Sequence, residues 1–254
     1  MRRHEGKVAF CAGSATGMGA ETALRLAREG AKVAVADVQH EAARALAERM
    51  ASEGGEGLAI EFDIAEEESV RAAIAQVAER FGRLDLMHVN ATDRTLNRQD
   101  YDVLTTDLAV FDRMHRVSLR GHLLCSRFAI PEMLKAGGGA IVYTSSNAAK
   151  TGAPERMSYY IAKAGLNGLM RHVASRFGRE GIRANCICPG VILTDAVLIN
   201  TSQAEREEIG RRIPSPRLGR VDDIAALVAF LLSDEAGWIN GQAVSVDGGS
   251  VMQG

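Results

Sequence analysis

Two periodicities alternate along this 254-residue chain, and that alternation narrows its possible folds more than any other feature. Short β-rich runs at 7–12, 33–37, 58–63 and 84–91 are interleaved with apolar residues at helical spacing. Ala20, Leu24 and Ala27 form the first stripe, which stops at Gly30. Ala43, Leu46, Ala47 and Met50 then sit at i, i+3, i+4 and i+7, and Val70, Ala73, Ile74 and Val77 repeat that pattern. The second half continues with a long helix ending near 135, a strand at 140–145, a helix at 157–178 and a strand at 182–188. A helix at 222–232, striped by Ile224, Leu227, Val228 and Leu231, and a strand at 243–247 complete the series. Strand–helix repetition demands crossover connections, so the expected fold is α/β: a doubly wound parallel sheet of seven strands with helices on both faces. No linker, low-complexity block or repeat divides the chain, which therefore reads as a single domain over 1–254.

Charge and cysteine usage remove several function classes. Lys+Arg 30 against Asp+Glu 32 gives a formal net charge of -2, without the basic footprint of a nucleic-acid binder. No apolar run approaches the roughly 18 residues of a membrane span, so no membrane partner is expected. Met1-Arg2-Arg3 could open a signal segment, but the apolar stretch 8–12 runs straight into Gly13-Ser14, so a cytoplasmic location is expected. Cys11, Cys125, Cys186 and Cys188 are too few and too scattered for a disulfide framework and lack companion ligands for a metal. They read as small core residues.

The turn after the first run is Gly13-Ser14-Ala15-Thr16-Gly17-Met18-Gly19. Glycines there let the chain turn sharply and bring backbone N–H groups to a pyrophosphate at the helix N-terminus. A strand before, an amphipathic helix after, and Asp37 at the end of the next strand together indicate a dinucleotide site in a Rossmann-like sheet. The Asp37 carboxylate can accept from both hydroxyls of an adenine ribose, and a 2′-phosphate there would meet a like charge, which favours NAD. Capping of the following helix is its competing role. Asp63, at the end of the third strand, reads almost equally as an adenine contact or as a cap.

Further motifs extend the pattern. Asn90-Ala91 follows the fourth strand, Ser146 lies thirteen residues before Tyr159, and Tyr159-x-x-x-Lys163 opens the next helix. Asn185…Pro189-Gly190…Thr194 and Val246-Asp247-Gly248-Gly249 follow. With the Gly-x-x-x-Gly-x-Gly spacing, these resemble the short-chain dehydrogenase/reductase family over nearly the whole chain. The resemblance implies an NAD(H)-dependent oxidoreductase that moves a hydride between the nicotinamide and a secondary alcohol or ketone. It makes Tyr159 the acid–base group, supported by Ser146 and Lys163, and places Ser118 at the fourth catalytic position. It puts cofactor contacts at Gly13, Ser14, Thr16, Gly17, Met18 and Gly19, at Asp37, Asp63, Ile64 and Asn90, and at Tyr159 and Lys163. On the nicotinamide side the contacts fall at Pro189, Gly190, Ile192 and Thr194. An NADPH-linked 3-ketoacyl reductase and a cofactor-binding protein with little turnover are the competing functions. A homotetramer built on the helices 108–135 and 157–178 and on the C-terminal segment is also implied.

The chemistry is intelligible without the resemblance. Tyr159 and Lys163, at i and i+4, share a helix face. A phenol of pKa about 10 is a poor base near neutrality. One ammonium at about 4 Å, with an effective dielectric near 20, favours the phenolate by roughly 4 kcal/mol. The spacing therefore predicts a Tyr159 hydroxyl drawn down toward working pH.

Two positions depart from the family pattern. Val89-Asn90-Ala91-Thr92 stands where relatives read Asn-Asn-Ala-Gly, and Val117-Ser118-Leu119-Arg120-Gly121 where they read Val-Asn-Leu-x-Gly. In relatives that Asn helps hold a water linking the lysine to solvent. If the relay needs the amide, Ser118→Asn should raise kcat; if it runs through the backbone carbonyl, the change should be neutral, the outcome favoured here.

Two polar segments, 92–105 and 194–217, fall beyond the carboxyl ends of the strands, where α/β sheets bind ligands. The second bears Pro214 and Pro216 and is longer than a compact connection needs, so a lid with a helical part near 202–212 is expected. Arg94, Arg98, Lys150 and Arg156 are expected to add positive charge at the mouth. These features suggest a substrate with polar substituents, a hydroxy acid or a sugar-derived compound, rather than a long acyl chain.

Overall fold

The structure, a computed structural model, describes residues 2–252. The first half alternates β1 (Val8–Ala12), α1 (Gly17–Arg28), β2 (Lys32–Asp37), α2 (His40–Ser52), β3 (Glu56–Glu61), α3 (Glu67–Phe81) and β4 (Leu86–Val89). After the 92–107 segment come α4 (Leu108–His115), α5 (Gly121–Lys135), β5 (Gly139–Thr144), α6 (Met157–Phe177) and β6 (Ile182–Pro189). The chain ends with β7 (Ile192–Leu193), α7 (Asp195–Asn200), α8 (Gln203–Arg211), β8 (Gly219–Arg220), α9 (Val221–Leu232) and β9 (Ala243–Val246). Seven strands form one sheet in the order β3-β2-β1-β4-β5-β6-β9, every pairing parallel. The expected α/β architecture is therefore the observed one.

Period-two alternation distributes the strands between two cores. Val8, Phe10 and Ala12 point to one face with residues of α3, α5 and α6, such as Val70, Leu124 and Met170. Ala9 and Cys11 point to the other with Leu24 of α1, Met50 of α2 and Ile224 of α9. All four cysteines are buried with free thiols, as their setting in apolar runs predicted. The order reverses between β1 and β4, and such a switch point opens a crevice at the carboxyl ends of the strands.

The long helix expected to end near 135 is not continuous. Arg116–Arg120 form a π turn between α4 and α5. One extra residue in a turn widens the helix, and Ser118 sits at its centre with its side chain fully buried. Past β6, the short pair β7 and β8, joined in register Ile192↔Gly219, ties the two ends of the 194–217 segment together. Ser202 caps α8 in a reciprocal box with Glu205.

Candidate active site

At the end of β1 the backbone is built for close approach. Gly13 has φ 71°, and a Cβ there would lie 2.5 Å from the Cα of Ala91. A Cβ on Gly19 would strike the Gly13 carbonyl. The two glycines therefore cannot be replaced without moving backbone. The Asn90 side-chain amide donates to the Gly13 carbonyl at 2.9 Å and its Oδ1 is buried without a partner. Ser14 is fully buried and its hydroxyl donates to the Cys11 carbonyl, so this side chain braces the turn from beneath. Thr16 is exposed and Met18 half-buried at the start of α1. A Cβ on Gly17 would lie 3.5 Å from the Thr194 methyl, so the first βα turn and the segment after β7 face one another.

The two strand-end acids differ. Asp37 is buried, and its oxygens accept from the Ala15 and Gln39 N–H groups at 3.0 Å each. It thus bridges the glycine turn to the start of α2. Asp63 accepts from the Ala65 N–H at 2.8 Å while Ser69 accepts from its own N–H, a local capping arrangement. Ile64 lies in the core against Gly121, and Ile192 lies in the opposite core, so both side chains face away from the crevice. Pro189 is buried at the end of β6, and Gly190 packs its backbone against Asp247. Thr194 is buried and caps α7 through the Val197 N–H.

β5 and α6 bring Ser146, Tyr159 and Lys163 together. The Ser146 hydroxyl accepts from the Ala148 N–H at 3.1 Å and draws down the Tyr159 hydroxyl that it faces. The Lys163 ammonium, fully buried, donates to the Thr144 carbonyl at 2.8 Å and lies 5.7 Å from the centre of the Tyr159 ring. Burial drives the lysine down to about 8. Burial also holds the Tyr159 phenol above its ordinary value, against the opposing pull of Ser146, Arg156 and Arg94. This corrects the expectation of a lowered phenol: Lys163 is turned to a carbonyl, and desolvation outweighs the cations.

Ser118 meets the other departure from the family pattern. Its Oγ lies 2.9 Å from the Thr92 Oγ1 and also contacts the Met114 sulfur at 3.4 Å. Two neighbouring imidazoles were not singled out in the sequence. His88 on β4 is fully buried, with Nε2 2.9 Å from the Thr144 hydroxyl, and burial pushes it down to about 3. His122 on α5, likewise buried, is driven well below its ordinary value by burial and by Lys163, against the Val117 and Val89 carbonyls. Neither a lone histidine in an apolar strand nor one in an apolar helix carries a signal that the ring will be fully buried.

Asp100 was also missed. It is buried, and its carboxylate accepts from the Ser158 and Tyr159 N–H groups at 3.0 and 2.9 Å, capping α6 from a distant loop. Its carbonyl takes the Arg156 N–H at 2.9 Å. Arg156, with φ 62°, is the one non-glycine left-handed residue among the described residues, a conformation costing roughly 1–2 kcal/mol. Lys150 corrects another expectation. Its ammonium donates to the Ala243 carbonyl and the Ser245 hydroxyl, so it braces β9 instead of charging the mouth.

Comparison with known proteins agrees with this geometry. A family model described as enoyl-(acyl carrier protein) reductase matches residues 12–251. A probable short-chain type dehydrogenase/reductase of Bradyrhizobium diazoefficiens is 44% identical over 250 residues, covering 98% of this chain and 89% of that protein. A D-threitol dehydrogenase of Mycolicibacterium smegmatis is 35% identical over 258 residues, covering 99% and 95%. A 7 alpha-hydroxysteroid dehydrogenase solved in complex with NADH and 7-oxo glycochenodeoxycholic acid superposes with a TM-score of 0.93 at 32% identity. That match covers 99% of this chain and 96% of the other.

Proposed function

The chain belongs to the short-chain dehydrogenase/reductase family, and from that premise we infer that it is an NAD(H)-dependent oxidoreductase acting on a secondary alcohol or its ketone. The observation that carries this reading is the convergence of Ser146, Tyr159 and Lys163 at the carboxyl end of β5, beside the switch point.

The residues fit the cofactor. Gly13 and Gly19 let the turn close backbone to backbone where any Cβ would clash, the buried Asn90 Oδ1 lacks a partner, and the Asp37 carboxylate at the end of β2 would meet the adenine ribose. The N–H groups of the first turn of α1, with Ser14, Thr16, Gly17 and Met18, would hold the pyrophosphate. Asp63 and Ile64 would bound the adenine, Ile64 through its backbone. Pro189, Gly190 and Thr194, with Ile192 through its backbone, would bound the nicotinamide end. Bound there, the dinucleotide supplies or accepts the hydride.

The protein's own groups handle the proton. In ketone reduction the Tyr159 hydroxyl gives its proton to the carbonyl oxygen, while the Ser146 hydroxyl donates a hydrogen bond to the same oxygen. In alcohol oxidation the Tyr159 oxygen takes the proton back. Lys163 places positive charge beside the phenolate that forms.

Among the described residues no helix is long and apolar enough to cross a membrane. We place the protein in the cytoplasm, as a single domain with 194–217 as a lid over the substrate. Exposed Leu108, Leu123 and Ile161 on α4, α5 and α6 support a homotetramer through these helices, measurable by light scattering.

A panel of secondary alcohols and ketones followed at 340 nm with both dinucleotides tests the activity. Turnover with NAD(H) is the expected result. Cofactor binding without turnover across the panel would make the chain a binding protein, and preference for NADPH with ketoacyl thioesters would make it a ketoacyl reductase.

A further inference from the structure

Of the four cations that the sequence places near the mouth, Arg94 and Arg156 act on the reacting group. Lys150 is tied to β9. Arg156 sets its guanidinium carbon 5.8 Å from the centre of the Tyr159 ring. Arg94, just past β4, acts electrostatically on both Tyr159 and Lys163. Both guanidiniums are exposed, and neither has a carboxylate partner among the described residues. The acid next to Arg94 is already engaged: Asp93 pairs with Arg113 at 3.2 Å and accepts from Thr95.

The backbone ties the segment bearing Arg94 to the start of the helix beside Arg156. Asp100, six residues beyond Arg94, fastens the 92–107 segment to the first turn of α6 by three hydrogen bonds, one of them to the Arg156 N–H. Arg156 keeps a left-handed backbone that ordinary side chains avoid, in the turn that aims it across Tyr159. Strain retained beside a reacting group points to a role there. Two unpaired guanidiniums beside an acid–base hydroxyl are complementary to a planar oxyanion, which arginine recognises by paired N–H donors.

We propose that Arg94 and Arg156 form a carboxylate-binding subsite next to Tyr159, and that the substrate is a small hydroxy acid or keto acid. This rests on the oxidoreductase reading and names its substrate class.

The test compares matched 2-hydroxy and 3-hydroxy acids with their methyl esters, using NAD+ and the full-length protein, in the wild type, Arg94→Gln and Arg156→Gln. Wild type should favour an acid over its ester by tenfold or more in kcat/KM. Each substitution should cut that ratio at least tenfold, chiefly through KM for the acid. Calorimetric titration with malonate supplies a readout free of turnover: binding should weaken tenfold in either variant and with rising salt, and malonamide should not bind. Alcohols turned over with an acid-to-ester ratio near one, or a ratio unmoved by both substitutions, would overturn the subsite and leave the oxidoreductase intact. Absence of turnover on every alcohol and ketone, with malonate still bound through both arginines, would instead overturn the oxidoreductase reading.

Discussion

The Thr92 and Ser118 hydroxyls lie 2.9 Å apart, so the two positions where this chain leaves its family's pattern are partners in space. Relatives pair a glycine with an asparagine there, and this chain divides the same volume between two short hydroxyl side chains. The Ser118 side chain is fully enclosed, with the Met114 sulfur on its other side. Ser118→Asn alone should therefore overfill the site and lower stability by roughly 1–3 kcal/mol, with no gain in kcat. Adding Thr92→Gly should restore at least half of that loss. Urea denaturation and kcat for the four members of the cycle measure the coupling. A rise in kcat from Ser118→Asn alone would show that the relay lacks its amide.

Cofactor choice follows from Asp37. Its two oxygens accept from Ala15 and Gln39, which orients the carboxylate and leaves lone pairs that, in the proposed cofactor pose, would accept from the ribose hydroxyls. NAD(H) should be preferred over NADP(H) by at least about tenfold in kcat/KM, or roughly 1.4 kcal/mol. The neighbouring side chain is the exposed, uncharged Val38, which offers a 2′-phosphate nothing in return. Equal or better use of NADPH by the wild type would remove Asp37 from this role.

Tyr159→Phe keeps the ring and its packing against Arg156 and removes the transferable proton. Turnover should fall by on the order of 10² or more with NADH still bound. Because burial holds the phenol above its ordinary value, reduction should be flat through neutrality while oxidation rises with pH. Lys163→Ala should lose turnover and cofactor affinity together. A Tyr159→Phe enzyme retaining most of its kcat would place the proton donor elsewhere.

The buried imidazoles set an acid limit on stability. His88 is pushed down to about 3 by burial, so its native ring stays neutral where an unfolded imidazole, near 6.5, takes up a proton. The unfolded state then binds more protons, and stability falls as pH drops from 6.5 toward 3. His122 shifts in the same direction. The slope should approach about 1.4 kcal/mol per pH unit for each ring. Urea midpoints at pH 7.5 and 5.5 should converge in His88→Val and His122→Val relative to wild type. An unchanged slope in both variants would show that these rings charge without cost.

Local pattern alone determined the order of elements, the parallel sheet and the glycine turn, because periodicity and turn chemistry are properties of neighbouring residues. Tyr159 and Lys163 were legible for the same reason, being one helical turn apart. The tertiary structure decided everything that depends on distant segments meeting. It turned Ser118 inward by a π turn that no residue between 116 and 120 announces, and set it against Thr92. It made Asp100 the cap of a helix starting far along the chain, and drew Lys150 away to β9. It also reversed the expected shift of Tyr159. Spacing reveals which charge is near, but desolvation depends on how much of the surrounding protein excludes water, and that exists only once the chain has folded.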